Sequence, residues 1–174
     1  GLMGVCVPTE YGGAGADFVA YVLAMEEIAA ADCGISNMMA ANNSPVAAAI
    51  VRHGTAAQKA DYLPGLCSGE LLGAILLTEP QAGSDAANIR TRAHSDGDGW
   101  RIAGDKQFIT GGRSADVAMI VAVTDPTAGK RGITCFLAPT DNPGYQVVRE
   151  EAKLGHRTND TCAIHREDMH VDAR

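Results

Sequence analysis

An α+β fold is predicted by three observations. Helical periodicity is confined to the first 69 residues, short apolar runs and alternations follow from residue 70 onward, and the β-α-β-α order of a doubly wound sheet is missing. Phe18, Val22, Met25 and Ala29 are spaced by four, three and four residues, one face of a helix that Gly34 would stop. Ser44-Pro45 reads as an N-cap with proline in the first turn, opening a helix that stops near His53-Gly54. Thr55-Ala56-Ala57-Gln58 reads as a capping box for a third helix ending before Pro64.

Beyond Gly69 the predicted strands are Leu71 to Leu77, Trp100 to Ile102, Gln107 to Thr110, Val117 to Val123, Gly132 to Leu137, Tyr145 to Arg149 and Thr161 to Val171. Gly104-Asp105 is taken as the turn between the second and third of these. The last strand is unusually polar. The expected domains are 1–69 and 70–174, with the boundary between Leu66 and Leu72.

Composition narrows the function classes. Hydrophobic residues make up 46 % of the 174 and charged residues 20 %, the profile of a folded rather than a disordered chain. A formal net charge of -7 argues against nucleic acid held by the whole surface. The five cysteines, Cys6, Cys33, Cys67, Cys135 and Cys162, are odd in number and form no C-x-x-C pair, which fits free thiols in a reducing compartment. His165 and His170 are five apart without a cysteine pair, so no metal site is expected. No apolar run approaches the ~20 residues of a membrane span. No basic region precedes the first apolar residues, so secretion is not expected. The chain begins without Met and ends at Val171-Asp172-Ala173-Arg174, as a piece of a longer protein would.

Two stretches carry chemistry. Leu77-Thr78-Glu79-Pro80-Gln81-Ala82-Gly83-Ser84-Asp85 runs from a strand into a loop whose backbone N–H groups and Ser hydroxyl suit anionic oxygens. Taken alone, it reads first as a surface turn. Lys106-Gln107-Phe108-Ile109-Thr110-Gly111-Gly112 puts a flat apolar ring and a hydroxyl on the same side of a strand, a pairing that suits a flat heteroaromatic ring. Taken alone, it reads first as a strand with one core Phe. No G-x-G-x-x-G opens a helix after a strand, and neither a P-loop nor a G-x-S-x-G elbow is present.

Together, in this order and spacing, the two stretches resemble the signature segments of the acyl-CoA dehydrogenases. So do Pro8-Thr9-Glu10-Tyr11-Gly12-Gly13, Asn42-Asn43-Ser44, Gly104-Asp105-Lys106 and Leu154-Gly155-His156-Arg157-Thr158-Asn159-Asp160-Thr161. The resemblance covers essentially the whole chain. It implies an N-terminal α-helical segment followed by an antiparallel β-barrel-like domain, the C-terminal helical domain being absent from this chain. It implies FAD as cofactor, an acyl-CoA substrate oxidised to the 2,3-enoyl-CoA, and an electron-transfer flavoprotein as electron acceptor. It also implies a homo-oligomer in the bacterial cytoplasm or the mitochondrial matrix.

By the same resemblance Ile75, Leu76, Leu77, Thr78, Gly83, Ser84, Phe108, Ile109 and Thr110 are the expected cofactor-binding residues. Thr78 would meet the pyrimidine side of the ring, Ser84 the pyrophosphate and the acyl-CoA, Thr110 the ring near N5, and Thr124 the CoA nucleotide. Ala40-Ala41-Asn42 would lie at the base of the acyl pocket. The family's catalytic glutamate belongs to the C-terminal domain, so Glu26, Glu27, Glu79, Glu150 and Glu151 are not expected to be the base. Phe108 stands where a Trp is usual. Arg166 stands where relatives usually bury a large apolar residue, which implies an exposed strand or missing or altered neighbours, and Asp172 stands where Pro is frequent. Flavin oxidases and monooxygenases share this architecture. A non-catalytic scaffold module is the reading from a different class.

Overall fold

The computed structural model describes residues 1–172. Four helices come first: α1 (Phe18–Ala31), α2 (Cys33–Ala41), α3 (Ala48–His53) and α4 (Ala56–Ser68). Seven strands follow: β1 (Gly73–Leu76), β2 (Arg92–Asp96), β3 (Gly99–Thr110), β4 (Val117–Val123), β5 (Ile133–Pro139), β6 (Tyr145–Glu150) and β7 (Thr161–Asp172). They form one curled sheet of order β1-β4-β2-β3-β7-β6, with β5 on β4. The α+β order matches expectation. The sheet is mixed, because β1 and the start of β2 pair parallel to β4 while the other ladders are antiparallel.

Three helix boundaries differ from the sequence reading. Gly34 does not stop the first helix. Asp32 ends it in extended backbone and caps the next, its Oδ1 accepting from the N–H groups of Gly34 (2.7 Å) and Ile35 (3.0 Å). A side chain at Gly34 would collide with Thr158, whose hydroxyl donates to the same Asp32 oxygen at 2.6 Å. Ser44-Pro45 does not start a helix either. It lies inside a π-helical turn, Asn42–Ala47, that joins α2 to α3 without a break. The widened turn accommodates a proline ring that a tight α-turn would reject. The capping box is present, with Gln58 N–H on the Thr55 hydroxyl and Thr55 N–H on the Gln58 side chain. Yet α4 runs through Pro64 to Ser68, because Leu63, Leu66 and Cys67 beyond or beside it are buried, and their burial offsets the lost hydrogen bond.

In the sheet, Gly104-Asp105 is not a turn. One strand, β3, spans both predicted pieces, and the hairpin turns at Gly97-Asp98 instead, after β2. β2 escaped the sequence reading because four of its five residues are exposed and polar. Two register shifts explain the rest. Between Ile102 and Gly104 the extra residue lies on β7, where Asp168 has φ 54°, so Met169 and Arg166, three apart, both point inward. Between Lys106 and Ile109 the extra residue lies on β3, where Phe108 has φ 58°.

Helices and sheet share a core. Val46, Ile50, Leu63 and Leu66 pack with Met119 of β4, and a side chain at Gly73 would overlap Val46. Asn42, buried in the π-turn, donates to the carbonyls of Met3 and Leu66 and accepts from Gly73 N–H at 3.0 Å. Asn43 accepts from Val5 N–H at 2.8 Å and donates to Leu2 and Met39. Replacing Thr55 by Ala removes one member of the capping box. Chemical denaturation is expected to show a loss of about 1 kcal/mol with an unchanged m-value.

Candidate functional site

A cleft of about 410 Å³ opens between the helices and the sheet. Its sheet wall is Ile75, Leu77, Thr78, Phe108, Ile109 and Thr110, and its helix wall is Tyr21, Asn37, Ala40, Ala41, Ser44 and Pro45. The bulge in β3 creates the sheet wall. In a regular strand Lys106, Phe108 and Thr110 would share one face. The extra residue reverses the parity after Lys106, so Lys106 and Ile109 are both buried while Phe108 turns outward with 59 % of its surface exposed. The ring of Phe108 and the hydroxyl-bearing Thr110 thus border one cleft. A left-handed backbone at a bulky residue costs on the order of 1 kcal/mol or more, which the buried residues on both sides impose.

Six of the expected cofactor residues are therefore brought together. The others are placed elsewhere. Leu76 is fully buried in the sheet core and does not line the cleft. Gly83 and Ser84 are exposed on the loop beyond the cleft. Thr124 follows β4, with its hydroxyl donating to Gly132 O (3.1 Å) and 2.9 Å from the Thr134 hydroxyl. Ala40 and Ala41 do line the cleft, but Asn42 turns away into its buried hydrogen bonds. Tyr21, Asn37 and Pro45 were not among the expected site residues, because only the packing of the helices against the sheet brings them opposite Thr78 and Thr110.

Behind the sheet wall lies a buried ion pair. Lys106 Nζ is 2.8 Å from Glu79 Oε1 and donates also to Leu77 O at 2.9 Å. Glu79 accepts four further hydrogen bonds, from Thr91 N–H and hydroxyl, Arg90 N–H and the Gln81 side chain. Burial pushes the Glu79 carboxyl up, but Lys106, Thr91 and the backbone donors outweigh it and hold the group at about 2. Burial draws Lys106 down to about 8 against the pull of Glu79. Glu79 is thus a structural ion, and no acidic side chain lines the cleft among the described residues.

Arg166 is neither on an exposed strand nor without neighbours. It is fully buried, with Nη2 donating to Gly104 O (3.0 Å) and Thr91 Oγ1 (3.3 Å). The inward position follows from the bulge at Asp168, which a search for alternation cannot see. Among the described residues no group of three or more His, Cys, Asp and Glu is arranged to hold a metal, and no helix is long and apolar enough to cross a membrane. The five cysteines are free thiols.

A flat aromatic face, two hydroxyls and aliphatic residues on one wall make a site for a planar ring with hydrogen-bonding edges. The family profile for the acyl-CoA dehydrogenase N-terminal domain matches residues 1–70, and that for the acyl-CoA dehydrogenase middle domain matches residues 74–169. The chain belongs to the acyl-CoA dehydrogenase family. It is 42 % identical to an acyl-CoA dehydrogenase of Bacillus subtilis over 94 % of its own length and 43 % of that protein. A solved chain described with the electron-transferring flavoprotein of Acidaminococcus fermentans has 40 % identity and a TM-score of 0.96, over 99 % of this chain and 45 % of that one. A glutaryl-CoA dehydrogenase from Mycobacterium smegmatis in complex with FADH2 has 38 % identity and a TM-score of 0.92, over 99 % of this chain and 43 % of that one. The chain therefore spans less than half the length of each of these three.

The ion pair sets a pH dependence. The folded carboxyl of Glu79 titrates below the usual glutamate value of 4.5, so its stabilisation is complete above that value and fades as pH falls toward about 2. Urea unfolding of the parent is expected to weaken over that acid window, while Glu79→Gln removes this contribution to the slope. At neutral pH Glu79→Gln is expected to lose about 3–5 kcal/mol, because it leaves Lys106 buried without a counter-charge.

Proposed function

We propose that this chain forms the flavin-facing part of an FAD-dependent enzyme that oxidises an acyl-CoA thioester to the 2,3-enoyl-CoA and passes the electrons to an electron-transfer flavoprotein. The observation that carries this reading is the β3 bulge, which sets the Phe108 ring and Thr110 beside Thr78, Ile75 and Leu77 on one cleft wall. Support comes also from the membership of the family, from the relative solved with FADH2 and from the one described with an electron-transferring flavoprotein.

Bound FAD would supply the hydride acceptor. The chain's own residues orient it and keep water away. Phe108 covers a ring face, Ile75, Leu77 and Ile109 give an apolar surround, and Thr78 and Thr110 donate to the ring edges. Leu76 packs in the sheet core behind this wall and is not among the residues that face the ring. The exposed Gly83-Ser84 turn meets the pyrophosphate, Ser84 also touches the acyl-CoA, and Thr124 marks the side of the CoA nucleotide. Ala40, Ala41 and Ser44 leave room for the acyl group on the helix wall. The base that takes the α-proton comes from outside these residues, consistent with a cleft that has no carboxylate among the described residues. In this reading the division of the chain falls between residues 69 and 70, and the enzyme is a homo-oligomer of the bacterial cytoplasm or the mitochondrial matrix.

The full-length protein is expected to purify yellow and to bleach when butyryl-CoA or a longer acyl-CoA is added without oxygen. A colourless protein that takes up no added FAD overturns the reading, and rapid recolouring in air assigns an oxidase instead. Thr110→Ala is expected to slow flavin reduction in stopped flow about tenfold, the equivalent of one hydrogen bond of about 1.4 kcal/mol. An unchanged rate removes Thr110 from its role.

A further inference from the structure

The sheet interior carries an imbalance of charge. Among the described residues Glu79, Lys106 and Arg166 are the buried charged side chains, two cations against one anion. Arg166 Nε and Nη1 are buried without a hydrogen-bond partner. A large apolar side chain would fill the same space without the desolvation that a cation suffers there. Stability alone therefore does not account for an arginine at this position.

Its connections point toward the cleft. Arg166 Nη2 is 3.3 Å from Thr91 Oγ1, and Thr91 Oγ1 donates to Glu79 Oε1 at 2.6 Å. The same carboxylate oxygen receives Lys106 Nζ, which donates onward to Leu77 O. The chain of hydrogen bonds thus ends on the peptide that joins Leu77 to Thr78, and both residues line the cleft. Drawing electrons toward the Leu77 oxygen strengthens the N–H of Thr78 as a donor. Charge in this dry interior acts over a longer range than it would in water. Burial pulls Arg166 down to about 10 against the support of Glu79, which leaves it protonated at neutral pH.

We propose that Arg166 is a positioning residue that makes the cleft favour a negatively charged ring, and so raises the reduction potential of a flavin bound there. The inference rests on the flavin reading of the cleft given above. A hydride delivers two electrons and one proton to flavin N5, so the ring system gains one negative charge. No bond to Arg166 forms and no proton leaves it. Its charge acts through Thr91, Glu79 and Lys106 on the wall that the ring faces.

The test uses the full-length flavin-loaded protein and measures its midpoint potential together with the dissociation constants of oxidised and reduced flavin. In Arg166→Met the preference for reduced over oxidised flavin is expected to fall about tenfold, ~30 mV for a two-electron couple. Arg166→Lys keeps the charge and is expected to keep the parent potential. Equal potentials in the parent and Arg166→Met overturn the proposal, as does an equal fall in Arg166→Met and Arg166→Lys, which would trace the effect to packing. Should Arg166→Met not fold, Arg166→Gln is neutral and still able to hydrogen-bond. The same fall is expected from it, and the parent value overturns the proposal. A parent that takes up no flavin overturns the reading of the cleft and this inference with it. A flavin-loaded parent whose potential ignores Arg166 overturns this inference alone.

Discussion

The Glu79–Lys106 pair ties the loop after β1 to β3 and to the residues that lead into β2. One carboxylate takes hydrogen bonds from β3 through Lys106, from Arg90 and Thr91 ahead of β2, and from Gln81 in the loop after β1. The lysine in turn holds the Leu77 carbonyl. Both side chains are almost completely out of water, so every donor and acceptor lost there would stay unpaired. Such a pair adds little net stability over well-packed apolar residues, but it permits few alternative arrangements. The path of the chain from β1 into the loop that carries Gly83 and Ser84 depends on it.

Two bulges then decide which side chains face which compartment. A strand alternates faces with strict period two, and one extra residue reverses every position beyond it. On β3 the reversal buries Lys106 and Ile109 together and turns Phe108 and Thr110 toward the cleft. On β7 it buries Arg166 and Met169 together and leaves Glu167 and Asp168 in solvent. The cation that completes the buried network and the ring that lines the cleft have the same geometric origin.

The cleft lies beside the junction where the π-turn fastens the helices to the sheet. The π-turn Asn42–Ala47 inserts Val46 against Gly73 and spends the amide groups of Asn42 and Asn43 on the N-terminal loop, α4 and β1. Its own Ser44 and Pro45, with Ala40 and Ala41 just before it, are left along the edge of that junction, opposite Thr78 and Thr110. Small side chains there keep the space open. The apolar packing of Ile50, Leu63, Leu66 and Met119 beneath holds the two walls at a fixed separation.

The sequence by itself determined the α+β order, the capping box at Thr55 and Gln58, most of the strands, and the two signature stretches with their family. All of these depend on neighbours within a few residues, where periodicity and turn chemistry act directly. It misplaced the helix boundaries at Gly34, Pro45 and Pro64, because long-range contacts carried the backbone through local stop signals. It missed β2, whose exposed residues leave no apolar pattern, and it read Arg166 as a departure from a buried position. Only the tertiary structure decided that Leu76 belongs to the core and Leu77 to the cleft, and that Arg166 is buried behind Glu79 and Lys106. Those outcomes turn on bulges and on an ion pair between residues 27 positions apart in the chain. No local pattern encodes them, since each is set by which strand lies alongside.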